Sequence, residues 1–334
     1  MIKLEKLTKI FDSYGHQVMA ANQIDMEVPS GEICVLLGPS GCGKTTTLKM
    51  INRIIHPTSG KVYINGEDTS KLCDTELRRR IGYVIQQIGL FPNMTIEDNI
   101  CVVPDLLGWP KAQSRKRAKE LLEMVALDPS VFLKRYPAQL SGGQQQRVGV
   151  IRALAADAPV MLMDEPFGAI DPINREIIQD EFLKMQQELN KTIMFVSHDI
   201  DEAVKMADKI AIFSQGELLQ FDSPDRILAN PINEFVENFV GADRAIKRLR
   251  LFTAADALVA DATTSIGTEP VVSLQTSLTD ASAMLYSSGA ERLCCVDADN
   301  RIVGWLGHQQ IAARLAQAPQ ASMEKEALSC QKAC

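Results

Sequence analysis

Residues 38–45, GPSGCGKT, place three glycines, a lysine and a threonine at a spacing suited to cradling a phosphate chain. Gly38, Pro39, Ser40, Gly41, Cys42 and Gly43 form a loop that can wrap closely enough for backbone N–H groups to meet phosphate oxygens. A helix starting behind the loop would direct its positive end at the same anion. Lys44 would neutralise β- and γ-phosphate charge, and the hydroxyl of Thr45, with Thr46 beside it, is placed to ligate Mg²⁺.

Hydrolysis needs more: an acid to hold the metal, and a group that orients or deprotonates water. The stretch VMLMDEP, 160–166, offers both where an apolar run ends, Asp164 for the Mg²⁺ shell and Glu165 for the attacking water. Adjacent strand residues point to opposite sides, so the two acids can take different tasks. Alone they would read as exposed turn acids before a proline; the phosphate loop argues for the chemical reading. A second glycine-bearing stretch, LSGGQQQR at 140–147, sets Ser141, Gly142, Gly143 and Gln144 where a loop meets a helix. The first loop is already a complete cradle, so the second needs its own explanation.

These residues need a frame. EICVLL (32–37) is a continuous apolar run of buried-strand length, followed by the glycine loop and by a segment in which Leu48, Ile51 and Ile55 recur at helical spacing. From Met1 to about Val28 the pattern suggests short strands and turns, and KVYING (61–66) and IGYVIQ (81–86) read as further strands. Residues 112–126 and 142–156 read as helices. Two more buried strands, 160–165 and 192–197, flank a helix from Pro172 to Leu189 whose apolar positions are Ile173, Ile177, Phe182 and Met185. Alternating buried strands and helices imply an α/β fold with a mostly parallel sheet covered on both faces. Such sheets bind ligands at the carboxyl ends of their strands, where the glycine loop, Asp164, Glu165 and His198 all fall.

Near Gly241 the composition shifts, which divides the chain into 1–241, a connector 242–270, a small α/β unit at 271–316 and an end segment 317–334 expected to be a mobile tail. The unit is read from VVSL, a helix around Ser282 to Ser287, RLCCV, the turn DADN, RIVGWLG and a final helix from Gln309. The connector's basic cluster, Arg244, Lys247, Arg248 and Arg250, reads as a solvated helix face, with a functional contact as the alternative. The net charge of −7 argues against broad nucleic-acid binding. No apolar run approaches a membrane span and the opening residues offer no secretory core, so a cytoplasmic location is expected. The eight cysteines include no CxxC pair or plausible zinc set and read as reduced, partly core-filling thiols.

In their order, GPSGCGKT, VIQQ, LSGGQQQR, VMLMDEP, GAID and VSHD resemble the motifs of the nucleotide-binding subunit of an ATP-binding cassette (ABC) transporter, over about residues 1–240. That resemblance implies a P-loop ATPase with an antiparallel β part and a helical subdomain at about 88–157. It also implies that the chain works as one half of a head-to-tail pair, in which the signature of one copy covers the γ-phosphate held by the other. Ser141, Gly142, Gly143 and Gln144 would then serve the sibling's ATP. By the same resemblance, Gln86 touches the metal or the water, with Gln87 as the alternative, and IGLFPNM after it faces a membrane permease subunit. His198 corresponds to the histidine that contacts the γ-phosphate. Phe11 sits where the family places an aromatic on adenine, a core phenylalanine being the plain alternative, and Asp171 of GAID lies in the segment that runs along the dimer seam.

Several longer stretches, among them MDEPFGAIDPINRE, are similar to ATPase subunits of osmoprotectant importers for glycine betaine, carnitine or choline. Such subunits often append cystathionine-β-synthase-type (CBS) modules, and 271–315 resembles one module. Its missing mate would be a degenerate copy at 244–270 or the same module of a second chain. The tail carries only Glu324 and Glu326 against two lysines, unlike the acidic tails associated with salt sensing. The expected cofactors are ATP and Mg²⁺. The expected partners are a second copy and integral permease subunits, with a solute-binding protein reached only indirectly, at the cytoplasmic face of the cell membrane. A soluble, non-transport cassette ATPase, a P-loop GTPase or kinase, and a nucleotide-sensing regulatory module whose main business is the carboxy-terminal unit are the competing readings. The first normally carries two cassettes or long coiled coils, and the second an NKxD motif that is absent here.

Overall fold

The computed structural model describes residues 1–13, 16–85, 89–168, 170–260 and 269–319. They fall into two compact units, which divide between Phe221 and Asp222.

The first unit opens with two long strands, β1 (Ile2–Ser13) and β2 (His16–Val28), paired antiparallel. The sequence suggested short strands because the pairing register shifts three times, between Leu4 and Leu7, Leu7 and Lys9, and Lys9 and Ile10, which spoils the period of two. Then follow β3 (Ile33–Leu37), α1 (Lys44–Ile51), β4 (Ser59–Ile64), β5 (Glu67–Asp68), α2 (Asp74–Arg79) and β6 (Ile81–Val84). A helical stretch comes next: α3 (Ile96–Leu106), α4 (Lys111–Met124), α5 (Pro129–Phe132) and α6 (Gly142–Leu154). The unit continues with β7 (Val160–Asp164), α7 (Pro172–Leu189), β8 (Thr192–Val196), α8 (Ile200–Met206), β9 (Lys209–Ser214) and β10 (Glu217–Asp222).

The sheet that carries the site has the order β10-β9-β3-β8-β7-β6, and its pairings β9–β3, β3–β8, β8–β7 and β7–β6 are all parallel. Every residue of β3, β7 and β8 is buried, as expected of strands covered on both faces. On one face, Leu36, Leu162, Met194 and Phe213 join Leu48 of α1 and the inner residues of the antiparallel sheet β2-β1-β4-β5 in one core. On the other, Phe195 meets Phe167 edge-on, and Phe167 meets Phe182 of α7.

Helix α7 spans the expected residues for local reasons. Asp171 caps its start by accepting from the Asn174 N–H, Pro172 occupies the first turn, and Asn190 ends it in the left-handed region. Its buried stripe differs from the expected one: Ile178, Phe182 and Met185 are buried, whereas Ile177 is 47% exposed. Two adjacent isoleucines left the helical phase ambiguous, and packing selected the second.

The second unit begins with α9 (Pro224–Ala229), α10 (Glu234–Val240) and α11 (Arg244–Arg248). The basic cluster is a solvated face only in part: Arg250 is exposed and Arg244 half-buried. Lys247 and Arg248 are buried, Lys247 donating to the Val240 carbonyl and Arg248 to Asp225 and to the Leu315 carbonyl. These bonds tie α9 and α11 together, so the contact boundary precedes Gly241. A four-stranded sheet follows in the order β11-β14-β13-β12, formed by β11 (Val259–Ala260), β12 (Val271–Ser273), β13 (Arg292–Val296) and β14 (Ile302–Gly307). Helices α12 (Leu278–Ser288) and α13 (His308–Ala316) cover one face of it, through Leu278, Leu285 and Ile311 against Leu293 and Leu306. The helix expected near Ser282 starts earlier because Ser277 caps it. The end segment beyond Pro319 lies outside the described residues.

Candidate functional site: a phosphate cradle at the carboxyl ends of three strands

The glycine loop follows β3, the two acids close β7, and His198 follows β8. Because β8 pairs with β3 on one side and β7 on the other, these three stretches emerge side by side from one edge of the sheet.

The loop is shaped by what surrounds it. At Gly38 a Cβ would fall 2.2 Å from the Phe213 carbonyl oxygen, and at Gly43, where φ is +103°, 2.0 Å from the Ala20 carbonyl oxygen. Neither position admits a side chain. Lys44 is buried and folds back over the loop, its ammonium donating to the carbonyls of Gly38 (2.7 Å) and Pro39 (2.9 Å), with the buried Cys42 Sγ at 3.6 Å. The positive charge is thereby held within the turn of the glycine loop. Thr45 and Thr46 follow Lys44 in the first turn of α1, and the Thr45 hydroxyl donates to Asp164 Oδ1 at 2.9 Å. Burial pushes the Asp164 carboxyl above the usual range, partly opposed by the Thr45 bond and by Lys49 and Lys44. A half-buried threonine hydroxyl bonded to a buried carboxylate at a strand end suits Mg²⁺, which usually takes one or two protein oxygens and completes its shell with phosphates and water.

Glu165 leaves the strand with φ +48°, a left-handed conformation uncommon outside glycine, and its N–H donates to the Val196 carbonyl at 3.1 Å. The turn separates its side chain from that of Asp164 and sets Glu165 Oε1 3.8 Å from His198 Nδ1. His198 is largely exposed, while Asp199 beside it caps α8 by accepting from the N–H groups of Asp201 and Glu202. Asp164 faces the loop and Glu165 faces the histidine, so the two acids occupy different surroundings, as the sequence suggested.

Phe11 is 38% exposed and is not a core residue; Lys9 Nζ lies 4.9 Å from its ring centre. It pairs with Val18 across the hairpin, two residues along β2 from the Ala20 carbonyl that abuts Gly43. Val18 is exposed as well and shares the face of Phe11, whereas Met19, also exposed, points to the opposite face with its partner Ile10. Sequence reasoning named only Phe11 of these three, because an apolar residue on a strand reads as core unless its face is known.

The second glycine stretch sits elsewhere. Ser141 caps α6, and its side chain and that of Gln144 are spent on each other's backbone N–H groups. Among the described residues, a Cβ at Gly142 would meet nothing within 4 Å, and one at Gly143 only Ile178 Cδ1 at 3.8 Å. Asp171 likewise serves its own helix as a cap. Gln86 and Gln87 lie outside the described residues.

Comparison with known proteins fits this geometry. The ABC transporter family model matches residues 21–168. The chain is 57% identical over 311 residues to the osmoprotectant import ATP-binding protein OsmV of Salmonella typhimurium, covering 93% of this chain and 80% of that one. It is 49% identical over 311 residues to the glycine betaine/carnitine/choline transport ATP-binding protein OpuCA of Bacillus subtilis, covering 93% and 79%. Among solved structures, it is similar to the dimeric ATP-binding cassette MJ0796 bound to ADP and Pi in a post-hydrolysis state, with TM-score 0.61, 36% identity, and coverage of 67% of this chain and 98% of that one. The chain belongs to the ABC transporter family, as one of its ATP-binding, ATP-hydrolysing subunits.

Proposed function

We propose that two copies of this chain, set head to tail, hydrolyse Mg²⁺-ATP at the cytoplasmic face of the cell membrane to drive import of a quaternary-amine osmoprotectant such as glycine betaine, carnitine or choline. The solute class rests on the likeness to OsmV and OpuCA over 93% of the chain. The paired arrangement rests on Gly142 and Gly143: two glycines in the first turn of a helix weaken it by roughly 1 kcal/mol each relative to alanine, and no described residue of the chain needs the space they leave. An object outside the chain does.

The roles proposed for the residues combine the geometry with the family resemblance. Gly38 to Gly43 and Lys44 hold the phosphates, Lys44 exchanging its loop carbonyls for phosphate oxygens. Thr45 and Asp164 would hold Mg²⁺, which would neutralise phosphate charge there. Glu165 takes a proton from the attacking water, and His198, within reach of it, orients the terminal phosphate. Phe11 stacks on the base. Gln86 completes the metal and water contacts, and the residues after it face integral permease subunits. In the second copy, Ser141, Gly142, Gly143 and Gln144 close over the same terminal phosphate, with Asp171 along the seam. The element order β12–α12–β13–β14–α13 supports a CBS-type module at 271–316.

The solute class is tested by reconstituting the chain with its permease subunits and solute-binding protein in vesicles. Glycine betaine, carnitine or choline should raise ATP hydrolysis severalfold over the solute-free rate. A complex stimulated by another solute and by none of these would remove the osmoprotectant reading and leave the ATPase in place.

A further inference from the structure

Gln146 lies on α6, five residues after Ser141, and is 3% exposed. Its Nε2 donates a hydrogen bond to the carbonyl of Pro166, the residue that follows Glu165. The amide cannot sit the other way round, since Oε1 would then oppose the carbonyl oxygen. Among the described residues, Oε1 accepts no hydrogen bond. A buried acceptor without a partner costs more than one neutral hydrogen bond contributes, so an apolar side chain of the same shape would stabilise the fold better. Stability does not account for a glutamine here.

Position does. Glu165 holds an uncommon left-handed conformation, and Pro166 after it has no N–H with which to anchor the turn. The turn is fixed instead by the Glu165 N–H on the Val196 carbonyl, the Gly168 N–H on the Glu165 carbonyl, and the Gln146 amide on the Pro166 carbonyl. Of these three, only the Gln146 bond comes from the helix that begins with Ser141, Gly142 and Gly143. The rest of that helix is fastened to α7 as well, through Arg147 and Glu181 at 3.6 Å.

We propose that Gln146 is a positioning residue for Glu165: by holding the Pro166 carbonyl it aims the carboxylate and makes the signature helix and the Glu165 turn of one chain move as a unit. The reading rests on the paired arrangement proposed above. In a pair, the signature serves one nucleotide and Glu165 the other, so this bond carries closure at the first site to the catalytic base of the second.

The test uses the full-length chain with Gln146→Met. The melting temperature should stay the same or rise, Mg²⁺-ATP affinity should change less than about twofold, and turnover should fall about tenfold or more, as displaced catalytic groups do. Unchanged turnover, or a loss of turnover matched by a loss of melting temperature and affinity, would overturn the proposal. Gln146→Glu supplies a second readout. Ionised, it lacks the donor; protonated, it regains one, so its turnover relative to the parent should recover as pH falls, and a pH-independent ratio would count against the bond.

Mixed pairs locate the effect. With Lys44→Ala in one copy, the remaining site uses the other copy's phosphate loop and Glu165. Gln146→Met placed in that other copy should abolish most of the activity, and placed beside Lys44→Ala much less; the reverse pattern would show that Gln146 acts through the signature instead. If the Lys44→Ala pair without the Gln146 change is inactive, the two-site arrangement itself is wrong, and the homodimer measurements still decide for Gln146.

Discussion

The two glycine-rich stretches of this protein obey opposite constraints. In the phosphate loop, Gly38 and Gly43 have backbone carbonyls of Phe213 and Ala20 where a side chain would be, so the chain's own fold demands glycine. At the start of α6, a side chain at Gly142 would meet none of the described residues and one at Gly143 only Ile178 in ordinary contact, so the fold would be better served by alanine. One stretch is explained from within a single chain. The other fits the proposed second copy, whose bound phosphate would occupy that space. Sequence motifs that look alike can therefore report on different partners, and the space around each glycine distinguishes them.

The largest effect expected bears on the completed site. Glu165→Gln should lower hydrolysis by about 10²- to 10⁴-fold, the usual contribution of a general base, while nucleotide binding persists. The phosphate contacts then hold two copies together, so the variant should elute as a dimer in Mg²⁺-ATP; monomeric elution would break the comparison at its second half. Substituting the glycines themselves sharpens it. Gly43→Ala should cost roughly 1–3 kcal/mol or more of folding stability, because the added methyl meets a backbone oxygen that cannot move away. Gly142→Ala should raise stability by about 0.5–1 kcal/mol and still lower hydrolysis, the methyl projecting where the partner's phosphate must seat. Thermal melts and steady-state turnover on both variants check the pair; a stable Gly43→Ala or a fully active Gly142→Ala would contradict it.

Asp164 gives a subtler effect, read through pH. Burial raises its carboxyl above the usual range, so the folded chain holds that proton more firmly than the unfolded chain does. Its contribution to stability is therefore best at low pH and declines as pH rises from the ordinary aspartate range through the raised value. Asp164→Asn should melt higher than the parent at neutral pH without nucleotide, and should lose the gain in melting temperature that Mg²⁺ brings in the presence of ATP. The parent's Mg²⁺-ATP affinity should climb with pH through the same window. The smallest effect belongs to Phe11→Ala, which removes one aromatic face worth about 0.5–1.5 kcal/mol and should weaken ATP binding severalfold with little change in turnover at saturation.

Much of the parallel sheet was legible because its strands are unbroken apolar runs: 33–37, 160–164 and 192–196 lie within two residues of where hydrophobicity put them. The phosphate loop, Asp164 and Glu165 were legible because their chemistry is local in sequence. What sequence did not reveal depends on partners far along the chain. Arg248 looked like a solvated charge, yet Asp225 and the Leu315 carbonyl bury it. Ile177 and Ile178 stood equally well in a helical pattern, and only the core chose between them. Gln146 resembled its neighbours Gln144 and Gln145 until the fold brought Pro166 to it. The hairpin's bulges concealed the length of β1 and β2 and with it the exposed cross-strand pair of Phe11 and Val18.

The most direct measurement takes two inactive forms of the full-length chain, Lys44→Ala and Ser141→Arg, and assays hydrolysis before and after they are mixed with the membrane subunits. Each form alone should be inactive, and the mixture should regain a substantial fraction of turnover, because a mixed pair brings an intact phosphate loop under an intact signature. Two inactive forms that stay inactive together, although they assemble as pairs, would contradict the account.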